Sequence, residues 1–440
     1  MRFTPWATRL ALTLSLSATA LLTACGSGGG SGDGTQVRLL NATRSYASLD
    51  LTVNDKTVNS KIAYATVGEY AGVDTGATAS KVLQSDTGTS ISATTPTLTG
   101  GSNYTYITYG FAGAIRTTLL QEAETVPDSG KAKLLVLNLA PDAGNMDVYV
   151  TTSADCSLTN DTALTTNLAG GAGSGYIQIN SGDFRVCVTG YNKRSDLRLN
   201  IPVLSLASAS VNTLILTATD GGVLVNGISL VQKGAAKNYA STQSRVRTVA
   251  ALTNAATVGT VINGQTMFSG AASPLISDYV TTTSGASTLA ATVNGLGISF
   301  TPPTLAAGGD YTLLVWGDAS APKLSVLSDD NRLPTASGDV KVRLVNALPT
   351  SAAGLNVAFG SIASNVAPGQ ASTFSSTSSS SSTTGVQVDV LVAGASIYTN
   401  TALAFPANSV WTFFAVPTTS AVTTTSPVAG LTALPKRERP

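Results

Sequence analysis

The chain has no histidine among its 440 residues. That one absence removes histidine general bases, the Ser-His-Asp triad and imidazole metal sites together. Charge is scarce as well. Asp, Glu, Lys and Arg make up 11% of the chain, against about a quarter in ordinary globular proteins. With 25 Lys and Arg against 24 Asp and Glu, the net charge is +1. A chain so close to neutral has no bulk electrostatic attraction for nucleic acid, which is therefore not an expected partner. Aromatic residues are 6% and cysteines number three. Beyond residue 25 no apolar run reaches 18 residues, so nothing there offers a membrane-spanning helix. A sustained 3.6-residue hydrophobic period is missing too, and little helix is expected. What the chain has instead is 42 glycines and many Ser, Thr and Asn, a polarity suited to strands and turns.

The first residues carry an address. Arg2 and Arg9 precede an apolar stretch from Leu10 to Leu22, followed by Leu22-Thr23-Ala24-Cys25. A stretch of 13 residues is too short to span a bilayer and fits the core of a signal peptide. Small residues before a cysteine resemble the bacterial lipoprotein signal, which makes residues 1–24 a removable segment and Cys25 the acylated first mature residue. Gly26 to Gly34, nearly all Gly and Ser, reads with Cys25 and Thr35 as a flexible tether over 25–35. Gly26, rather than Asp, implies sorting to the outer membrane. The membrane is then a partner through lipid.

Cys156 and Cys187 remain. In an oxidising envelope two leftover cysteines are expected to pair. In Phe184-Arg185-Val186-Cys187-Val188 the alternation puts Cys187 on the face opposite Phe184, Val186 and Val188. A bond there pins the polar loop Asp155–Asp161 to the outer side of a sheet. A catalytic thiol is the alternative, and it lacks a histidine partner.

The rest of the chain repeats. Four apolar openings read Val37-Arg38-Leu39-Leu40-Asn41-Ala42, Leu134 to Leu139 (LLVLNL), Val246 to Ala251 (VRTVAA) and Val342 to Ala347 (VRLVNA). With Asn41, Asn138, Ala250 and Asn346 as equivalent anchors, the repeats lie 97, 112 and 96 residues apart. A second landmark, at Asn103–Thr108, Val211–Leu216, Tyr311–Trp316 and Val410–Ala415, follows its anchor by 61 to 73 residues. Two landmarks in register predict four units of the size of a β-sandwich: 36–130, 131–240, 241–338 and 339–434, with 435–440 as a basic tail. Weakly charged strands leave few guards against association, so neighbouring units are expected to pack by edge or face.

The opening of the second unit, Leu135-Val136-Leu137-Asn138-Leu139-Ala140-Pro141-Asp142-Ala143-Gly144-Asn145-Met146-Asp147-Val148-Tyr149-Val150, resembles the signature of domain of unknown function 4397. Val342 to Phe359 is a weaker version. Units one and three lack the Pro-Asp pair. The resemblance implies immunoglobulin-like β-sandwiches of bacterial envelope proteins, with no established activity and no catalytic residues to transfer. The overall expectation is all-β: a tandem array of four immunoglobulin-like sandwiches behind a signal peptide and tether. In physical terms Pro141 ends the first strand, Asp142 caps a turn, Gly144 allows the reversal, and Asp147 alternates outward. Calcium held by Asp142 and Asp147 is the competing reading, short of the six to eight oxygens that ion takes.

Other motifs carry less. Gly170–Gly175 has the glycine count of a phosphate loop without Lys-Ser/Thr or a helix after it. Ser320-Ala321-Pro322-Lys323 matches Ser-x-x-Lys but sits on a turn. Asp329-Asp330 reads as a polar turn or linker, Ser375–Thr384 as a solvated tract, and Lys436-Arg437-Glu438-Arg439 as a disordered end. Tyr104, Tyr106, Tyr109 and Phe111 suit either a sugar-stacking surface or a buried core or seam. No catalytic residue, cofactor site or metal site is nominated. The leading functional expectation is a non-enzymatic, lipid-anchored spacer, adhesion or ligand-binding protein with an envelope protein or glycan as partner. The alternatives are a carboxylate-using carbohydrate hydrolase and an accessory subunit of an outer-membrane assembly.

Overall fold

Each repeated opening is a strand whose neighbour is the second landmark of the same unit, and the two run parallel. Thr35–Asn41 pairs with Asn103–Tyr109, with Val37 opposite Tyr104. Lys131–Leu139 pairs with Ser210–Ala218, Gln243–Leu252 with Asp310–Asp318, and Asp339–Asn346 with Ser409–Pro417. Parallel neighbours cannot be joined by a hairpin and need a long crossover. The crossover here is the second sheet. In unit 2 it contains Thr165–Leu168, Met146–Thr151, Gly182–Gly190 and Lys193–Leu206, in that spatial order. The computed structural model describes residues 34–381 and 383–439, and it is all-β: the described residues hold strands and two 3-10 turns. Residues 1–24, Cys25 and most of the tether lie outside the described residues.

Two faces of these central strands are buried, which is why their sequences are nearly continuous apolar runs. In unit 1 Val37 and Leu39 face the second sheet and join a core with Leu49, Leu51, Val82, Tyr104 and Tyr106. Equivalent cores form around Leu134, Val136 and Val148 in unit 2 and around Val342, Leu344 and Val390 in unit 4. In unit 3 the corresponding core falls in two adjoining clusters, one with Val258 and Val315 and one with Val246 and Leu313. The alternate residues face another unit. Leu40, Ile107 and Tyr109 of unit 1 pack on Leu139, Ile215 and Ile228 of unit 2. Val249, Leu314 and Trp316 of unit 3 pack on Val345, Phe414 and Val416 of unit 4. Units therefore pair face to face, first with second and third with fourth. Gly369 belongs to this contact. Its φ is +76°, and a Cβ there would lie 2.1 Å from the Trp316 ring.

The anchor asparagines join the two sheets of a unit. Asn346 is fully buried and its amide donates to the carbonyls of Ser351 and Val366, both at 2.8 Å, while its Oδ1 accepts from Leu348 N at 3.0 Å. Asn138 repeats the pattern with Gly144, Leu168 and Ala140. Asn41 keeps two of the three contacts, donating to Ile62 and accepting from Thr43. Unit 3 has Ala250 here and dispenses with the clamp. Substitution Asn346→Ala is expected to cost about 2–4 kcal/mol, since it strands buried carbonyls. Urea denaturation checks this, and an unchanged midpoint would mean that the clamp is dispensable in unit 4 as it is in unit 3.

Several local expectations are corrected. The end of the chain is not a disordered tail: Leu431–Arg439 is a strand paired with Ser409–Pro417. It was opaque because Lys436, Glu438 and Arg439 meet polar partners in other units, which local pattern does not show. Asp329 is no linker residue but the last, buried residue of the strand Ala321–Asp329. Ser375–Ser378, the start of the Ser/Thr tract, is a strand on Asp339–Asn346. Asp147 is 4% exposed, covered by turns whose N–H groups at Asn167 and Asn192 donate to its carboxylate.

Candidate functional site

Arginine recurs at one position of the opening strands, on the face turned to the neighbouring unit. Arg38, Arg247 and Arg343 lie opposite Thr105, Thr312 and Thr412 across the parallel pairs, and each donates to that hydroxyl. Unit 2 has Leu135 opposite Thr213 instead. A buried guanidinium must find an acid, and two of the three find it in the partner unit. Arg247 of unit 3 makes two 2.7 Å bonds to Glu438 beside unit 4. Arg343 of unit 4 donates to Asp329 of unit 3 at 2.5 Å. The exchange is reciprocal, so the seam has an approximate two-fold character. Asp329 also accepts from Thr312 and Tyr279, both at 2.6 Å. Burial pushes its carboxyl up, but Arg343 and Arg247 outweigh that and hold it below the usual value. In unit 1 Arg38 pairs with Glu122 at 2.9 Å and donates to Gly234 O of unit 2 at 2.7 Å.

The two pairs meet at one place. Arg439 donates to Gly222 O of unit 2 at 3.0 Å and to Asp142 O. Burial, with Arg245 and Arg198 nearby, lowers its pKa to about 10. Leu333 N donates to Asp142 Oδ1 at 2.8 Å across 191 residues of sequence. Gly221 N donates to Gly308 O at 2.9 Å. Asp142 thus secures a contact between units rather than capping its own 3-10 turn, Pro141–Ala143, which shows no side-chain cap.

A cleft of about 480 Å³ opens at this junction. Unit 1 supplies Tyr109, Phe111 and Arg116; unit 2 supplies Pro141 and Asp142; the end of unit 3 supplies Asp330, Arg332 and Pro334; unit 4 supplies Lys341, Phe374 and Asn408. Arg332 places its guanidinium 4.3 Å from the centre of the Phe111 ring and pairs with Asp330 through Nε at 2.7 Å and Nη2 at 3.0 Å. Lys341 donates to the carbonyls of Asp330 and Arg332 and sits 3.1 Å from Asp330 Oδ2. Burial acts against ionised Asp330, yet Arg332 and Lys341 bring its pKa below the ordinary value. Asp142 goes the other way, raised by burial despite the Leu333 N–H and Arg439. Two carboxylates with opposite shifts therefore line one cleft.

The residues singled out from sequence disperse. Cys156 and Cys187 are joined, closing a loop of 31 residues and tying the segment around Leu158 to Tyr149 on the outer face; such a loop is worth roughly 3–4 kcal/mol in the chain-entropy account. Asp142 and Asp147 serve different backbone donors and do not converge. Among the described residues no group of three or more His, Cys, Asp or Glu side chains could hold a metal ion. Ser320 Oγ donates to Asp318, while Lys323 sits over Trp316, so the Ser-x-x-Lys pair is not assembled. Gly173 begins the strand Gly173–Asn180. Tyr104 and Tyr106 are core and Tyr109 lies in the seam between units 1 and 2. Sequence reading missed the cleft itself, because its walls come from separate units. Among the described residues no helix is long and apolar enough to cross a membrane.

The sequence profile of a family described as Domain of unknown function (DUF4397) matches residues 35–149 and 244–358, together just over half of the chain. Both matches begin at the opening strands of units 1 and 3, which lack the Pro-Asp pair, and run into the openings of units 2 and 4. No curated protein matches the chain. Among solved structures, a candidate cell adhesion protein from Bacteroides uniformis ATCC 8492 aligns at 11% identity and TM-score 0.22, covering 46% of this chain and 98% of that one. CBMbc (family CBM26) from Eubacterium rectale Amy13K, in complex with maltoheptaose, aligns at 12% identity and TM-score 0.17, covering 46% of this chain and 97% of that one. Superpositions that loose bear on neither fold nor function.

Proposed function

The chain belongs to the DUF4397 family, and from that premise we propose that it is a non-enzymatic envelope protein, tethered by lipid at Cys25, that presents a ligand-binding or adhesive body rather than a flexible string of spacers. The observation that carries the reading is the junction cleft. Four units that each have a core are nevertheless fixed face to face, and their meeting point leaves a pocket of a size suited to small ligands, a range of roughly 300–1,000 Å³. The acids lining it are already engaged: Asp330 by Arg332 and Lys341, Asp142 by Leu333 N–H. That arrangement supports binding over turnover. The tether of Gly and Ser supports presentation at a distance from a membrane surface.

Two measurements test this. Cys25→Ser, followed by fractionation, should move the protein from membranes to the soluble fraction; full membrane retention would reject the anchor. Intact protein on beads should retain envelope glycans saturably and return them unshortened. A hydrolase is the second reading, favoured only by the opposite shifts of Asp142 and Asp330. It predicts shortened products that disappear in both Asp142→Asn and Asp330→Asn.

A further inference from the structure

We propose that the junction cleft recognises an oxyanion, a carboxylate or phosphoryl group, carried on a sugar-sized body. This deepens the binding reading above and rests on it. The argument starts from which donors in the cleft remain free. Lys341 Nζ has three acceptors around it and is spent. Arg332 uses Nε and Nη2 on Asp330, which leaves its Nη1. The side chain of Arg116, exposed at the start of the strand Arg116–Gln121, makes no hydrogen bond or ion pair with any described residue. The charged donors left over are thus guanidinium N–H groups.

Guanidinium groups match carboxylate and phosphoryl oxygens through paired, charge-assisted bonds. The lining holds three cations, Arg116, Arg332 and Lys341, against two carboxylates, Asp142 and Asp330. An anionic ligand therefore enters a site with a cationic excess, while a cationic one meets the unspent Arg116. Asp142 accepts the Leu333 N–H at 2.8 Å, which offsets part of its repulsion of an arriving anion. The remaining wall includes Phe111, Pro141, Pro334 and Phe374, apolar surface that can take the body of a sugar ring beside the charged donors. Asn408 and Ser376 add neutral donors and acceptors at the rim.

Two sources share this chemistry, acidic sugars and sugar phosphates, and calorimetry can separate them. The mature full-length protein in detergent is titrated with galacturonate oligosaccharides, with glucose 6-phosphate, and with maltooligosaccharides as the neutral control. Saturable binding is expected for one acidic probe and not for the neutral one. Arg116→Ala should weaken it about ten- to hundredfold, the loss of one or two charge-assisted bonds, and Arg116→Glu should abolish it. Arg116 is exposed and unpaired, so both variants should fold, which circular dichroism checks. The galacturonate arm winning identifies a carboxylate site, the phosphate arm a phosphoryl site. Acidic probes that bind no better than neutral ones, or binding indifferent to Arg116, would overturn the inference. Glycan retention on beads that survives in Arg116→Glu would leave the general binding reading standing while this one falls.

Discussion

Asp329→Ala is expected to lower stability by about 3–5 kcal/mol at neutral pH, the loss seen when one partner of a buried ion pair is removed. Asp329 is 2% exposed, and the substitution strands Arg343 as well as the hydroxyls of Thr312 and Tyr279. Arg247, 4.0 Å away, loses a second counter-charge but keeps Glu438. The effect should depend on pH in a definite direction. Folding holds the Asp329 carboxyl below its ordinary value of 3.8. A lowered carboxylate pKa adds stability that is present above the unfolded value and is lost as pH falls through the native one. The deficit of the variant should therefore be full at pH 7 and shrink as the pH drops below about 4. Urea denaturation at the two pH values reads it directly. A double replacement, Asp329→Leu with Arg343→Met, should recover most of the loss, because an apolar pair of like volume substitutes well for a buried ion pair. Equal deficits at both pH values would mean that packing, not charge, is what Asp329 supplies.

Ending the chain after Leu434 is expected to do more. It removes six residues that look from composition like a solvated end. Lost with them are the acid partner of Arg247, the two interunit carbonyl contacts of Arg439, and the ladder from Phe413–Pro435 to Val410–Arg439. Arg247 then keeps only Asp329, at 4.0 Å; removing the closer partner of a buried ion pair costs about 3–5 kcal/mol, and each lost ladder bond about 0.5–1.5 kcal/mol more. The truncated chain should release unit 4 from unit 3. Hydrogen exchange would then quicken along 339–417, and limited proteolysis would cut there first while unit 2 stays protected. Glu438→Gln, which keeps the strand, should show only part of the loss. Unchanged protection after truncation would return residues 435–440 to the role of a loose end.

The all-β class was legible because the apolar landmarks recur in register and no helical period competes. What the landmarks do was not legible. Val37–Ala42 and Asn103–Thr108 read as two strands of one unit, but nothing in either says that they lie side by side and parallel. The continuous apolar character of Leu134–Leu139 held the missing information, since a strand with one wet face alternates and this one does not. Arg38, Arg247 and Arg343 stood inside such runs, where a charge signals a buried partner, yet Glu438 lies 191 residues from Arg247 and local pattern cannot supply it. The cleft failed to appear for the same reason. Arg116, Asp142, Arg332 and Phe374 belong to no common motif, and only the stacking of units brings them to one place. The disulfide was within reach because, with Cys25 set aside, only Cys156 and Cys187 remain to pair.

The parallel pairing at the centre of every unit has a consequence for how the protein comes into being. A central strand such as Thr35–Asn41 must wait for a neighbour 60 or more residues downstream before its ladder can close. Contacts of such long span make folding slow. While the chain is still being made, each half-emerged unit presents an apolar ribbon with no mate, open to aggregation or to capture by a holding chaperone. The seam between units 3 and 4 closes only when Glu438 arrives to neutralise Arg247, 191 residues after that arginine is made.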